Sequence, residues 1–200
     1  MQPLVLQYRR QVQPSEQTLR TALQWAVCTI HSQVLISERE FARYYYWGIL
    51  PRTLPKLRHR ALADIQNLPL NYSQFRRLSI ERKLNYLVSS IHGLGYAKAA
   101  FALACSREAD IGCLDSHMAQ RHGLVSPTGR VRSTWYSARQ YLSDCSKAWG
   151  DWRYSGRKQW REYAAMDNSA GRRTRQYAHE AYFQAVGVRT IGQKELPLWV

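Results

Sequence analysis

Asp115 stands in the run Leu114-Asp115-Ser116-His117, twenty residues after the second glycine of Ile91-His92-Gly93-Leu94-Gly95-Tyr96-Ala97-Lys98-Ala99. A lone carboxylate can stabilise positive charge developing on a reacting group and can orient or deprotonate a water. It can also do no more than cap the start of its own short helix, and Asp115 admits both readings. The glycine run has a different chemistry. Leu84, Leu87, Val88 and Ile91 recur at i, i+3, i+4 and i+7, which predicts one buried face of a helix ending at His92. Gly93 suits the left-handed dihedrals that end a helix, and Gly95, lacking a Cβ, lets something approach the backbone closely. A second helix is predicted from about Tyr96, with Ala99 and Ala102 small enough for tight packing. Its first amides have no partner within the helix and lie at the positive end of its dipole, which suits a phosphate oxygen. His92, Gly93, Leu94, Gly95, Tyr96, Ala97 and Lys98 are therefore read as a hairpin that holds a nucleic-acid backbone.

Hairpin and aspartate together resemble the helix-hairpin-helix DNA glycosylase superfamily, the endonuclease III-like proteins. Ile91, Gly93, Leu94, Gly95 and Ala99 fill the hairpin positions of that family, and Leu114-Asp115-Ser116-His117 fills its later apolar-Asp-Thr-His block at the matching distance. The likeness is sharp over roughly Ser79 to Gly123. It implies an all-α fold of two packed helical subdomains with a cleft between them, the hairpin on one rim and Asp115 near the floor. It also implies a duplex DNA partner with one base extruded, because the bond between base and sugar is hard to reach inside the stack. Asp115 is then expected to assist water in hydrolysing the N-glycosidic bond of a damaged or modified base, whereas His117 is read as packing or hydrogen bonding around the helix and not as catalytic.

Strand-cutting members of the family have a lysine two residues after the second glycine. That position is Ala97 here, and Lys98 is one residue later, about 100° around the helix. Lys98 is read as a phosphate contact or a solvated charge, the amine nucleophile being the alternative, and a monofunctional enzyme is expected. Some relatives carry a four-cysteine iron–sulfur cluster late in the chain, but of Cys28, Cys105, Cys113 and Cys145 only the last lies there. No cluster, cofactor or metal is expected. Two further readings stay open: a DNA-binding protein of the same fold without glycosidic activity, and an enzyme that modifies DNA bases, as related viral domains are thought to do.

The composition fits a polyanionic partner. Twenty-nine Lys and Arg against fourteen Asp and Glu leave a net charge of +15. Residues 1–120 hold 15 basic and 8 acidic side chains and residues 121–200 hold 14 and 6, so the excess belongs to a folded surface rather than to a tail. The longest apolar run, Ala99 to Cys105, is too short to cross a bilayer, and the first residues lack the pattern of a secretory signal. The expectation is an intracellular monomer, cytoplasmic or associated with DNA, with reduced thiols.

Helical spacing also dominates the elements that must position these residues. Leu19, Ala22, Leu23, Ala26, Val27 and Ile30 form a stripe after Pro14-Ser15. Ser37-x-x-Glu40 reads as a capping box opening a helix to about Trp47, and Lys56 to Asn67 reads as another. The Asp115 block predicts a short helix with Asp115 at or near its start and Gly123 beyond its end. Ala138, Tyr141, Leu142 and Cys145 repeat after Ser133, and Ala178, Ala181, Tyr182, Ala185 and Val186 repeat before Gly187. One compact helical domain over 1–200 is expected, with the hairpin unit at about 80–105 and the aspartate block at 114–122.

Tyr45 and Trp47, within Arg43-Tyr44-Tyr45-Tyr46-Trp47, are candidate base contacts, with division between core and surface as the plainer reading. Trp149, Trp152, Tyr154 and Trp160 alternate with cations and suit either a groove lining or packing. Arg172 and Arg173 are candidate backbone contacts or a solvated helix start.

Overall fold

A computed structural model of the chain describes residues 4–29, 34–50, 56–126, 128–169 and 180–188. Its centre is α2 (Glu16–Cys28), which follows α1 (Leu4–Gln11) and starts where Ser15 Oγ accepts from the Thr18 amide. Nine of its thirteen residues are buried, as befits a helix with neighbours on most sides. Those neighbours are α3 (Val34–Trp47), α4 (Lys56–Gln66), α7 (Tyr96–Cys105) and α11 (Glu180–Ala185). Ala99, Ala100, Ala102 and Ala104 are small and buried, which lets α7 lie close against α2. Arg20 of α2 reaches the carbonyls of Ile65 and Leu68 at 2.5 and 2.8 Å, so its guanidinium closes the carboxyl end of α4.

The other side of α7 is covered by α6 (Ile80–Ser90) and α9 (Ala138–Trp149), and α9 in turn packs on α10 (Ser155–Ser169). The short α5 (Tyr72–Arg77) and α8 (Ser116–Arg121) complete the helices of the described residues, with a 3-10 turn at Trp152–Tyr154. A single antiparallel bridge, Val125 to Val131, is the only β pairing among them. The protein is all-α. One contiguous apolar core runs from Tyr8 to Val188.

Three predicted boundaries move. Helix α3 begins at Val34, so Ser37 lies inside it and is not its cap; a Ser-x-x-Glu spacing acts as a box only where the serine itself is non-helical. Helix α6 stops at Ser90 rather than His92, because Ile91 turns to φ −120°, ψ 114° and buries its side chain in the core. The helix expected after Ser133 begins only at Ala138, where Ser137 is the N-cap; the other predicted helices lie within a residue or two of the observed ones, and Ile30, Arg172, Arg173 and Ala178 fall outside the described residues.

Candidate nucleic-acid interface and carboxylate site

The hairpin joins α6 to α7 in five residues. Gly93 takes φ +74°, the left-handed region that favours glycine, and Leu94 plugs into the core. The turn is held from two sides: the Leu94 amide donates to the Ile91 carbonyl at 3.2 Å, and the His92 amide donates to Asp64 Oδ2 of α4 at 2.8 Å. At the start of α7, Gly95 is the N-cap with φ −87°, ψ 166°, and no side chain caps the helix. The amides of Tyr96 and Ala97 donate no hydrogen bond to another described residue. They have the character of an anion seat. A Cβ built on Gly95 meets nothing within 4 Å, and its dihedrals suit any residue, so neither packing nor backbone strain demands glycine there.

Lys98 turns inward from this seat. It is half-buried, with Nζ 3.2 Å from Thr29 Oγ1 at the carboxyl end of α2 and 5.5 Å from the centre of the Phe101 ring. That placement differs from a solvated charge on the hairpin. The negative end of the α2 dipole and the ring face both attract the ammonium, which accounts for its direction.

After α7 the chain reverses through 106–110, and the reversal is anchored by buried charge. Lys83 of α6 pairs with Glu108 at 3.0 Å with both side chains nearly inaccessible, and Glu108 also accepts from the Tyr72 hydroxyl at 2.6 Å. Arg9 of α1 holds the Ala104 and Ala109 carbonyls and the Asp110 carboxylate. Removing one partner of such a pair leaves an uncompensated buried charge, so the turn is held in one geometry.

The next four residues, Ile111 to Leu114, are buried, belong to no helix, have no neighbouring strand and lead into the extended backbone of Asp115. Side chains replace one. Ser155 Oγ accepts from the Gly112 amide at 2.8 Å, Gln159 accepts from the Cys113 amide at 2.5 Å and donates to its carbonyl at 2.7 Å, and the Tyr141 hydroxyl accepts from the Leu114 amide at 2.9 Å while donating to the Gly112 carbonyl at 2.6 Å. Burial pushes the Tyr141 phenol well above its ordinary pKa, with the neighbouring Cys145 and Cys113 adding to the shift, which keeps the donating proton in place. Gly112 is a glycine because a Cβ there would lie 2.6 Å from the Trp149 ring.

This run delivers Asp115. Its backbone is extended, and its Oδ1 accepts from the Met118 amide at 3.0 Å, so Asp115 is the N-cap of α8, where the sequence puts it. The residue is half-buried, Ser116 and His117 are exposed, and Gly123 at φ +63° follows the helix. Cys113, two residues earlier, links the two candidate groups. Burial pushes its thiol up to about 12; the Lys98 charge opposes that shift, and Asp115 adds to it through its charge while opposing it through its backbone amide. Tyr96, the first residue of α7, stacks on Tyr141 with ring centres 6.3 Å apart. Hairpin and aspartate thus belong to one packed unit.

The remaining candidates divide. Tyr45 is engaged in packing: its ring stacks on Phe41 and its hydroxyl donates to the Ala185 carbonyl at 3.0 Å, joining α3 to α11. Trp47 is exposed at the end of α3 beside the equally exposed Tyr46. Trp149 and Trp160 are core residues, whereas Tyr154 is exposed with the Arg157 guanidinium 5.8 Å from its ring centre. All four cysteines are buried free thiols. Among the described residues no cluster of His, Cys, Asp or Glu is arranged to hold a metal ion, and no helix is long and apolar enough to cross a membrane.

Sequence reading missed Ser155 and Gln159. Their i, i+4 spacing puts them on one helix face and is the only trace they leave, inside a stretch dominated by tryptophan and cations. Compared with protein-family models, with curated proteins and with solved structures, the chain gives no match, so the functional reading rests on the geometry of this site.

Proposed function

We propose that the protein binds duplex DNA through the α6–α7 hairpin and that Asp115 assists water in hydrolysing the N-glycosidic bond of a damaged or modified base. On this reading the fold is that of a helix-hairpin-helix DNA glycosylase, with a cleft between two helical subdomains, acting as a monomer on DNA. The observation that carries the proposal is Gly95. Neither its dihedrals nor its surroundings require glycine, yet a side chain there would project beside the two open amides of Tyr96 and Ala97. A glycine that neither packing nor backbone strain demands is accounted for by a partner that must come close to the backbone. The net charge of +15 supports a phosphate backbone as that partner.

The chemistry is assigned to Asp115 because the chain buries three polar side chains to hold the segment that ends at it. Cleavage develops positive charge on the sugar, and a carboxylate beside it lowers the barrier while activating water. Ala97 occupies the position of the strand-cutting lysine, which supports base release without strand cleavage. The cap bond from the Met118 amide favours a second reading, DNA binding without chemistry, in which Asp115 only starts α8. Incubation with duplexes bearing a panel of damaged and modified bases separates them. Release of free base from one duplex supports the glycosylase, and tight, salt-sensitive binding with no released base from any duplex supports the second reading.

A further inference from the structure

We infer that Tyr141 and Gln159 are positioning residues for the Asp115 carboxylate, and that Tyr96 ties their placement to occupation of the hairpin. This rests on the glycosidic reading of Asp115. A buried segment must satisfy its amides and carbonyls, and a helix or a sheet partner does so with backbone. Here the amides of Gly112, Cys113 and Leu114 and the carbonyls of Gly112 and Cys113 are satisfied by Ser155, Gln159 and Tyr141, with the Cys145 thiol a further, longer donor to the Gly112 carbonyl at 4.0 Å. All three side chains are buried, on α9 and α10, far along the chain from the hairpin. The Gln159 amide grips Cys113 from both sides, as a neighbouring strand would. The Tyr141 hydroxyl bridges the residues on either side of it.

Such an arrangement fixes where the run ends, and it ends one bond from Asp115. A displacement of the carboxylate by an ångström would separate it from the charge it must stabilise, with a loss of about 100-fold in rate. The same Tyr141 ring lies against Tyr96, whose hydroxyl donates to Asn85 of α6 at 3.0 Å and whose amide is one of the two open donors of the anion seat. A phosphate drawn to that amide therefore bears on the residue that holds Leu114. The carboxylate and the DNA backbone are registered to each other through two stacked phenols.

The test uses Tyr141→Phe, which keeps the ring and its stack and removes only the hydroxyl, and Gln159→Leu, which removes the amide grip. Each is measured for duplex affinity, for single-turnover base release and for hydrogen exchange of the 111–119 segment. The expected result is base release lowered by about 10- to 100-fold with affinity changed by less than about two-fold, and no further loss when either change is added to Asp115→Asn. Losses that multiply in the double variants, or base release unaltered in both single variants, overturn the inference. Should Tyr141→Phe fail to fold, Gln159→Leu and Ser155→Ala carry the same measurement. If no duplex loses a base, the glycosidic reading fails by itself, and exchange decides the inference. Slower exchange of 111–119 on adding DNA to the wild type, abolished in Tyr141→Phe, sustains it; equal slowing in both proteins, or none in the wild type, overturns it.

Discussion

Tyr96 and Tyr141 stack with their rings inclined by 26°, one opening the helix that follows the glycine turn and the other holding the segment that leads to Asp115. A hairpin at one end of a helix and a carboxylate twenty residues later need not be neighbours. Here one aromatic contact links the two segments, and it gives the proposed function consequences that are open to measurement.

Gly95→Val is expected to fold with a loss of no more than about 1 kcal/mol, since the added side chain meets nothing in the protein and the dihedrals suit it, while valine is a poorer N-cap than glycine. Duplex affinity should fall by at least about ten-fold, equivalent to roughly 1.4 kcal/mol, and its salt dependence should weaken as phosphate contacts are lost. Gly93→Val is the contrast: at φ +74° it should destabilise by roughly 1–3 kcal/mol through backbone strain. Urea titration and binding isotherms at two salt concentrations check both. Full affinity in a folded Gly95→Val protein would mean that DNA docks elsewhere.

Asp115→Asn keeps an oxygen for the Met118 amide, so α8 should remain capped and the thermal midpoint nearly unchanged, whereas Asp115→Ala should lose about 1 kcal/mol. Base release should drop about 100-fold or more in Asp115→Asn, with DNA still bound. The product of the wild type should be an abasic site in an intact strand. Borohydride trapping of a covalent adduct that vanishes in Lys98→Ala would overturn that expectation.

Gly112→Ala is expected to destabilise by about 1–3 kcal/mol, because its Cβ would press on Trp149. That ring has little room to yield: its Nε1 donates to Glu162 at 3.0 Å, and the His122 ring packs against it with centres 5.1 Å apart. Denaturant midpoints measure the loss. A neutral effect would show that the run tolerates displacement.

Burial raises the thiols of Cys28 and Cys113 from 9.0 to about 12, so the folded protein retains protons that the unfolded chain releases. Their contribution to stability is complete below about pH 9 and declines as pH climbs towards 12. Urea midpoints recorded between pH 8 and 11 should therefore fall with rising pH, less steeply in Cys28→Ser. The native protein at pH 8 should also react far more slowly with a thiol reagent than the same chain in urea.

Local chemistry carried much of this protein in plain view. Ser15 before an apolar stripe, Gly93 after one and Asp115 ahead of Ser116 determined their caps and turns, because such signals act within one helical turn of themselves. The all-α class followed from repeats of three and four residues alone. What sequence spacing did not determine was direction and partnership. Lys98 turned towards Thr29 because the end of α2 lies beside it, a neighbour 69 positions away. Tyr45 was claimed by Ala185, 140 positions away, rather than left for a base. Ser155, Gln159 and Tyr141 became a substitute strand only because α9 and α10 pack where a buried run had unpaired amides. Hydrogen bonds of that kind are chosen by which surfaces the packed core brings together, so tertiary structure alone decided what holds Asp115 in place.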